Sequence, residues 1–311
     1  MRIHAALAIL CASLSGCTTF LGATDPVGRP RTSGEMESGY TYIPVDPFPV
    51  STISGNSCRD GHVEGKLLDA LPDNAVRMLV EQFDLSGNVT YGASKAGAKD
   101  QSYRVTVDYI NADTINFAVR IDKLMKNKKG ELEPVDLFSN GGANHELGSE
   151  VYSVERLDPG RKASSSALGA RGEFNIPVYV GVGLRVSANV YVVGANANIS
   201  GIGVIGAEAE AERLRGSLVV QTLGVNGKAV AAALPIQSEL NRTTAQNAIV
   251  AVGSIKALLY ADETVKSPRV VGLYLPFPGG KPLVNALISE LSKQPVQWDK
   301  PCLIEKTAPG K

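Results

Sequence analysis

The sequence predicts an α+β fold: a mainly antiparallel sheet with a few flanking helices and a long amphipathic β-hairpin. Three observations carry that reading. Residues 175–192, "NIPVYVGVGLRVSANVYV", alternate without a break, and every even position from Ile176 to Val192 is apolar. A two-residue period of that kind belongs to a strand with one oily face. Turn-forming residues, Asn111-Ala112-Asp113 and Asn226-Gly227, each stand between two apolar runs, as in hairpins. Apolar stripes at helical spacing occur in separate stretches, most clearly late in the chain.

The chain opens with a short basic start, Met1-Arg2-Ile3-His4, and an apolar run from Ala5 to Leu14. That run has signal-peptide length and falls well short of the roughly 20 residues of a spanning helix. Leu14-Ser15-Gly16-Cys17 follows. This resembles the lipobox of bacterial lipoproteins, which implies removal of residues 1–16 as a signal peptide and lipidation of Cys17 on its sulfur and its new amine. Thr18 stands where an Asp marks inner-membrane retention in Gram-negative lipoproteins, so the resemblance implies transfer to the outer membrane. Anchoring by two or more acyl chains, palmitate among them, is stable where one chain is marginal. The expected location is the cell outer membrane, lipid-anchored and facing the periplasm.

Residues 17–57 read as a lipidated Pro/Gly-rich tether, with Pro26, Pro30, Pro44, Pro47 and Pro49. Within it "YTYIPVDPFPV" carries more aromatic and aliphatic side chains than a solvated linker needs. That part is expected to lie on the protein body or on a neighbouring subunit. The globular α+β domain spans 58–303, and 304–311 form a tail. Val76, Leu79, Val80 and Phe83 are spaced as one helical stripe after Pro72, so 73–83 is expected to be a helix. Val105, Val107 and Tyr109, then Ile115, Phe117, Val119 and Ile121, alternate on either side of Asn111-Ala112-Asp113, the pattern of a hairpin. Residues 123–172 are polar and rich in Gly and Ser, and are expected to be long irregular excursions.

The long alternating strand comes next, and its partner is expected over Ala195 to about Leu214, giving a hairpin over about 175–214. Asn226-Gly227 marks a second hairpin. Ala245, Ala248, Ile249, Val252, Ile255 and Leu259 make a helical stripe over 243–259. Val270 to Leu275 reads as a short strand. Pro282 opens a last helix with the stripe Val284, Leu287, Ile288 and Leu291.

Of four cysteines, Cys11 leaves with the signal and Cys17 carries lipid. Cys58 and Cys302 remain in an oxidising compartment, and are expected to form one disulfide. Closing so long a loop contributes about 4–5 kcal/mol on the chain-entropy description. The chain holds 31 basic and 31 acidic residues, and loss of Arg2 leaves 30 against 31, near −1. No basic field for nucleic acid is present. Gly201 to Gly206, "GIGVIG", fits G-x-G-x-x-G, but it lacks surrounding βαβ alternation and an acidic residue about 20 positions on. His62 and His145 lie on Gly-rich polar segments and lack ligand spacing, so they read as loop histidines. No catalytic residue, metal site, cofactor or small-molecule substrate is expected.

Function therefore turns on 175–192. In a soluble sheet the even face packs on the core and the odd face meets water. In an oligomeric barrel, Ile176, Val178, Val180, Val182, Leu184, Val186, Val190 and Val192 would face lipid, while Arg185, Ser187 and Asn189 would face a wet lumen. A single hairpin leaves unsatisfied edges in a membrane, so that second arrangement needs many copies. From "NIPVYVGVG" through "GSLVVQTLGVNGKAV", about 175–235, the chain resembles the curli secretion channel lipoprotein family. Two functions follow as expectations. One is a non-enzymatic structural, scaffold or binding component of an envelope assembly. The alternative is a subunit of an oligomeric outer-membrane secretion channel of curli type. The expected partners are the membrane, through the N-terminal lipid, and copies of the chain or other envelope proteins.

Overall fold

The computed structural model describes residues 41–53, 62–63, 67–68, 71, 73–83, 89–91, 97–158, 163, 167–234, 238–261, 264–277, 279–299 and 303–304. Cys17, Cys58 and Cys302 lie outside these, and the expected lipidation and disulfide with them. Among the described residues the strands are β1 (Tyr42–Ile53), β2 (His62–Val63), β3 (Asp73–Phe83), β4 (Val89–Tyr91), β5 (Ser102–Lys126), β6 (Leu132–Pro134), β7 (Val151–Arg156), β8 (Ala167–Leu168) and β9 (Arg171–Val192), followed by β10 (Leu214–Leu223), β11 (Val225–Asn226), β12 (Ser238–Glu239), β13 (Val265–Lys266), β14 (Arg269–Tyr274), β15 (Val296–Asp299) and β16 (Leu303–Ile304). The helices are α1 (Ile202–Glu210), α2 (Lys228–Ala233), α3 (Arg242–Leu259) and α4 (Gly280–Lys293). The fold is α+β, as the sequence predicts.

Two very long strands make the spine. β5 has 25 residues and β9 has 22, against an ordinary strand of about 5–6. They pair antiparallel from Ser102↔Tyr191 to Asp122↔Arg171. Each changes its second partner along its length. The far edge of β5 takes β3 over 102–112 and β7 over 119–124. The far edge of β9 takes β10 over 183–192 and β14 over 178–181. The order β15-β1-β14-β9-β5-β3-β4 runs through a sheet of twelve strands. The sheet is mixed, since β1 and β15 pair in parallel. It curls far enough that β1 packs against β3.

Gly181 and Gly183 sit where β9 changes partner. A Cβ on Gly183 would lie 2.1 Å from the Tyr109 carbonyl oxygen, and one on Gly181 2.3 Å from that of Asn111. The backbones approach too closely there for any side chain, which permits the tight curl.

Helices cover the even face. α3 packs on β9, α1 on β10 and α3, and α4 on β7, β4 and β1. α3 starts with a reciprocal cap: the Asn241 side chain accepts from the Thr244 amide at 2.9 Å, and the Thr244 hydroxyl accepts from the Asn241 amide at 3.0 Å. It buries Ala245, Ala248, Ala251, Ile255 and Leu259. α4 buries Leu283, Val284, Leu287 and Leu291. Both helices and β14 stand where the sequence places them. β1 pairs with β14, so the aromatic part of the expected tether does lie on the body.

Five expectations are corrected. Residues 73–83 form β3, held by eleven consecutive pairs with β5 from Asp73↔Ala112 to Phe83↔Ser102. The supposed helical stripe collected residues from two faces of a strand: Val76 is exposed and Leu79 buried. Asn111-Ala112-Asp113 is no turn either. These residues pair with Val182, Gly181 and Val180 in the middle of β5. Ala112 joins the small core around Tyr179, and Asp113 Oδ2 accepts from Trp298 Nε1 at 2.9 Å. The stretch 195–214 does not return along β9. Its Ala/Glu-rich half forms α1, in keeping with helix propensity, and the returning strand is β10. Asn226-Gly227 leads into α2, because "KAVAAA" is a strong helix former. The polar stretch 123–172 holds three short strands as well as irregular backbone.

Substitution Gly183→Ala should lower the unfolding free energy by about 1–3 kcal/mol through forced overpacking. Gly253→Ala, on the exposed side of α3 with open space around it, should raise it by up to about 1 kcal/mol. Urea unfolding of both variants checks the pair, and equal effects would contradict the close strand approach.

Candidate functional site

The sequence singles out β9, and both its faces are covered. Ile176, Val178, Val180, Val182, Leu184, Val186, Ala188, Val190 and Val192 all belong to the main core. The odd face was read as meeting water or a lumen. It is instead buried from Pro177 through Arg185, and emerges toward the two ends, at Arg171 to Asn175 and at Ser187, Asn189 and Tyr191. The physical reason is the curl of the sheet. β1, β3, β5, β10 and β14 close over this face with Tyr42, Ala75, Ile110, Ala112, Leu223, Val271 and Tyr274 around Tyr179.

At the centre of the odd face lies an ion pair. Asp108 on β5 stands directly opposite Arg185 on β9. Arg185 Nε donates to Asp108 Oδ1 at 2.7 Å, and Nη2 to Oδ2 at 2.8 Å. The Asp108 side chain is 0% exposed and that of Arg185 7%. Nη1 also donates to the Val45 carbonyl at 2.8 Å and Nη2 to that of Val271 at 2.8 Å. Both carbonyls lie at breaks in strand register, between Pro44 and Phe48 in β1 and between Val270 and Gly272 in β14. A bulge leaves a residue outside the ladder, and here the guanidinium takes up the carbonyl. The Tyr42 hydroxyl donates to Asp108 Oδ2 at 2.6 Å. Burial pulls the Arg185 guanidinium downward, but the hydrogen bonds and charge of Asp108 outweigh it and leave it raised.

Above the pair, three phenol rings meet edge-on or tilted: Tyr42 to Tyr179 at 5.8 Å, Tyr42 to Tyr274 at 5.9 Å and Tyr179 to Tyr274 at 5.5 Å between centroids. Gly272 makes room, since a Cβ there would lie 2.3 Å from the Tyr42 ring. Arg77 lies 5.5 Å over the Tyr179 ring and donates to its hydroxyl at 3.3 Å. Burial, then the charge of Asp108, pushes the Tyr42 phenol well up. Burial raises Tyr179 too, and takes Tyr91 and Tyr152 up to about 12. The groups of this cluster are spent on one another, so it holds strands together. Sequence reasoning missed Asp108 and Tyr42. The available signal was a lone Asp within an apolar alternating run.

The even face carries an opening. Between α3 and the sheet lies a groove of about 310 Å³ lined by Val76, Tyr109, Leu184, Val252, Ile255 and Leu259, with Asn111 and Lys256 as its polar groups. Val76 and Met78, at 59% and 45% exposed, continue the apolar surface along β3. The volume is at the lower end for a ligand site. His145 is structural: its Nδ1 accepts from the Gly142 amide at 3.1 Å, and it bridges Asn127. The His62 side chain lies outside the described residues. Gly206 of the glycine motif serves packing, because a Cβ there would lie 2.5 Å from that of Ala245 where α1 meets α3. Among the described residues no cluster of metal-ligating side chains forms, and no helix is long and apolar enough to cross a membrane.

Comparison with family models, curated proteins and solved structures finds no match to this chain. The likeness over 175–235 rests on its residues alone.

Tyr42→Phe should cost about 1.5–3 kcal/mol, the range for a hydrogen bond to a charged group. Unfolded tyrosines ionise near pH 10, while the fold keeps its buried phenols protonated beyond that. Above pH about 10 the unfolded chain therefore binds fewer protons than the folded one, and stability should fall as pH rises from there. Urea unfolding between pH 8 and 12, as approximate limits set by those values, checks the sign. A rise would contradict it.

Proposed function

We propose that the chain is a lipid-tethered protein of the bacterial outer envelope whose body works as a non-enzymatic scaffold or binding module. The observation that carries this reading is the two-sided burial of β9. The most membrane-like strand in the sequence is already packed against this chain's own helices and strands. Lending it to a shared barrel would expose the Arg185–Asp108 pair and strip the even face of α3 and α1, a cost of many buried side chains. A lipobox, a Pro-rich tether and a closed body together suit a module held at the membrane that reaches toward other proteins.

The groove beside α3 is the surface we assign to contact. It would take an aliphatic or aromatic side chain from another envelope protein, with a carboxylate beside it for Lys256. Single cysteines at Val182 and Val76 test the reading with a water-soluble maleimide. Val182→Cys should stay unlabelled both in native envelopes and after detergent extraction. Val76→Cys should label in the extracted protein and be protected in envelopes. Labelling of position 182 on removal of lipid would instead support the channel.

A further inference from the structure

A second cavity, of about 530 Å³, lies away from the groove, where the C-terminal half of β5 and β7 meet the start of α4. Lys123, Tyr152, Asn140, Glu150, Lys281 and Asn285 line it, together with the Gly279 to Pro282 backbone. Lys123 is the unusual member. It shares the odd parity of Phe117, Val119, Ile121 and Met125, the core-facing side of β5, and stands opposite Tyr152 on β7. It is only 4% exposed. Its ammonium donates to the Ser139 carbonyl and lies 5.8 Å over the Tyr152 ring. Three donors sit on that nitrogen, and among the described residues no carboxylate forms an ion pair with it. Burial lowers its pKa, with Glu150 and then Asp136 acting in the opposite direction from a distance. A buried cation held in this way is stabilised by any anion that enters the cavity.

The start of α4 faces the same space. The helix has 14 residues, its N-cap is Gly279, which offers no side-chain cap, and no acid stands in its first turn. The free amides of the first turn are those of Gly280 and Lys281, since Pro282 has no N–H and the Leu283 amide donates to the Gly279 carbonyl; with the positive end of the helix dipole they favour an anion there. Gly280 has φ +58°, and a Cβ on Gly279 would lie 2.4 Å from Leu283. Both positions thus require glycine, and they leave the turn's backbone bare. The donors come from three directions: Lys123 from the sheet, Lys281 from the rim and amides from the helix. That suits a tetrahedral oxyanion better than a planar carboxylate, for which an arginine fork is the usual partner.

We propose that this cavity binds a phosphate-class oxyanion, held by Lys123, Lys281 and the backbone amides of Gly280 and Lys281. The space is several times what the oxyanion fills. Tyr152, Asn140 and Asn285 would then border an organic remainder, and Glu150 would select against a remainder that carries further negative charge.

The test is calorimetric titration of the full-length protein in nonionic detergent. Inorganic phosphate and short-chain phosphatidic acid are the probes, with short-chain phosphatidylcholine as the control. Inorganic phosphate should bind saturably, and Lys123→Met and Lys281→Met should each weaken it by about tenfold or more. Lys281 is exposed, so its variant decides the matter if Lys123→Met fails to fold. Binding of inorganic phosphate alone assigns a soluble phosphate compound; equally tight binding of phosphatidic acid assigns a lipid headgroup. Absence of saturable phosphate binding, equal binding by Lys281→Met, or binding of phosphatidic acid without phosphate would overturn the proposal.

Discussion

Taking a guanidinium and a carboxylate fully out of water costs several kcal/mol per ion unless nearly every hydrogen-bonding position is matched. The pair of Arg185 and Asp108 meets that condition only because four strands are placed for it. β5 and β9 supply the ions, and β1 and β14 each supply a carbonyl from a register break. Tyr42 completes the carboxylate. The curl of the sheet, the two bulges, the glycines at 181 and 183 and the cleared space at Gly272 all serve one geometry. A sheet without that curl would leave a charged row on an open face. With it, the odd side of β9 becomes a second small core.

The sequence was most legible where one face decided everything. The even parity of 176–192 is the main core, and most of the two helical stripes is buried, Ala245, Ala248, Ile255 and Leu259 in α3 and Val284, Leu287 and Leu291 in α4, although Ile249 of the first stripe faces outward. It misled where local chemistry and tertiary pairing disagreed. Asn111-Ala112-Asp113 looks like a turn, yet apolar residues keep odd parity before it, from Tyr103 to Tyr109, and after it, from Ile115 to Ile121, and a turn of three residues has no need to preserve it. The same parity on both sides of the tripeptide was the overlooked signal for a single strand. The stripe at 73–83 failed for a related reason: a strand beside so long a partner is fixed by the ladder, whatever its own spacing. The buried ion pair was harder still. Asp108 and Arg185 are 77 residues apart, and only the register of β5 on β9 sets them opposite one another.

Function divides along the same lines. The envelope reading comes from the N-terminal residues, and the preference for a scaffold over a channel comes from burial around β9. The groove at α3 and the cavity at Lys123 lie on different elements and offer different chemistry, one apolar and one cationic. Under the proposed function, the two surfaces would serve separate ligands, a protein partner at the groove and a small anion at the cavity.

The Arg185–Asp108 pair fixes the curled sheet. A double-mutant cycle with Arg185→Met, Asp108→Leu and the double variant, followed by urea unfolding, tests it most directly. Each single change strands a buried charge and should cost about 3–5 kcal/mol. The double variant removes both charges and should cost far less than the two single effects combined. Single effects below about 1 kcal/mol, in the range of an exposed pair, or strict additivity would contradict the account.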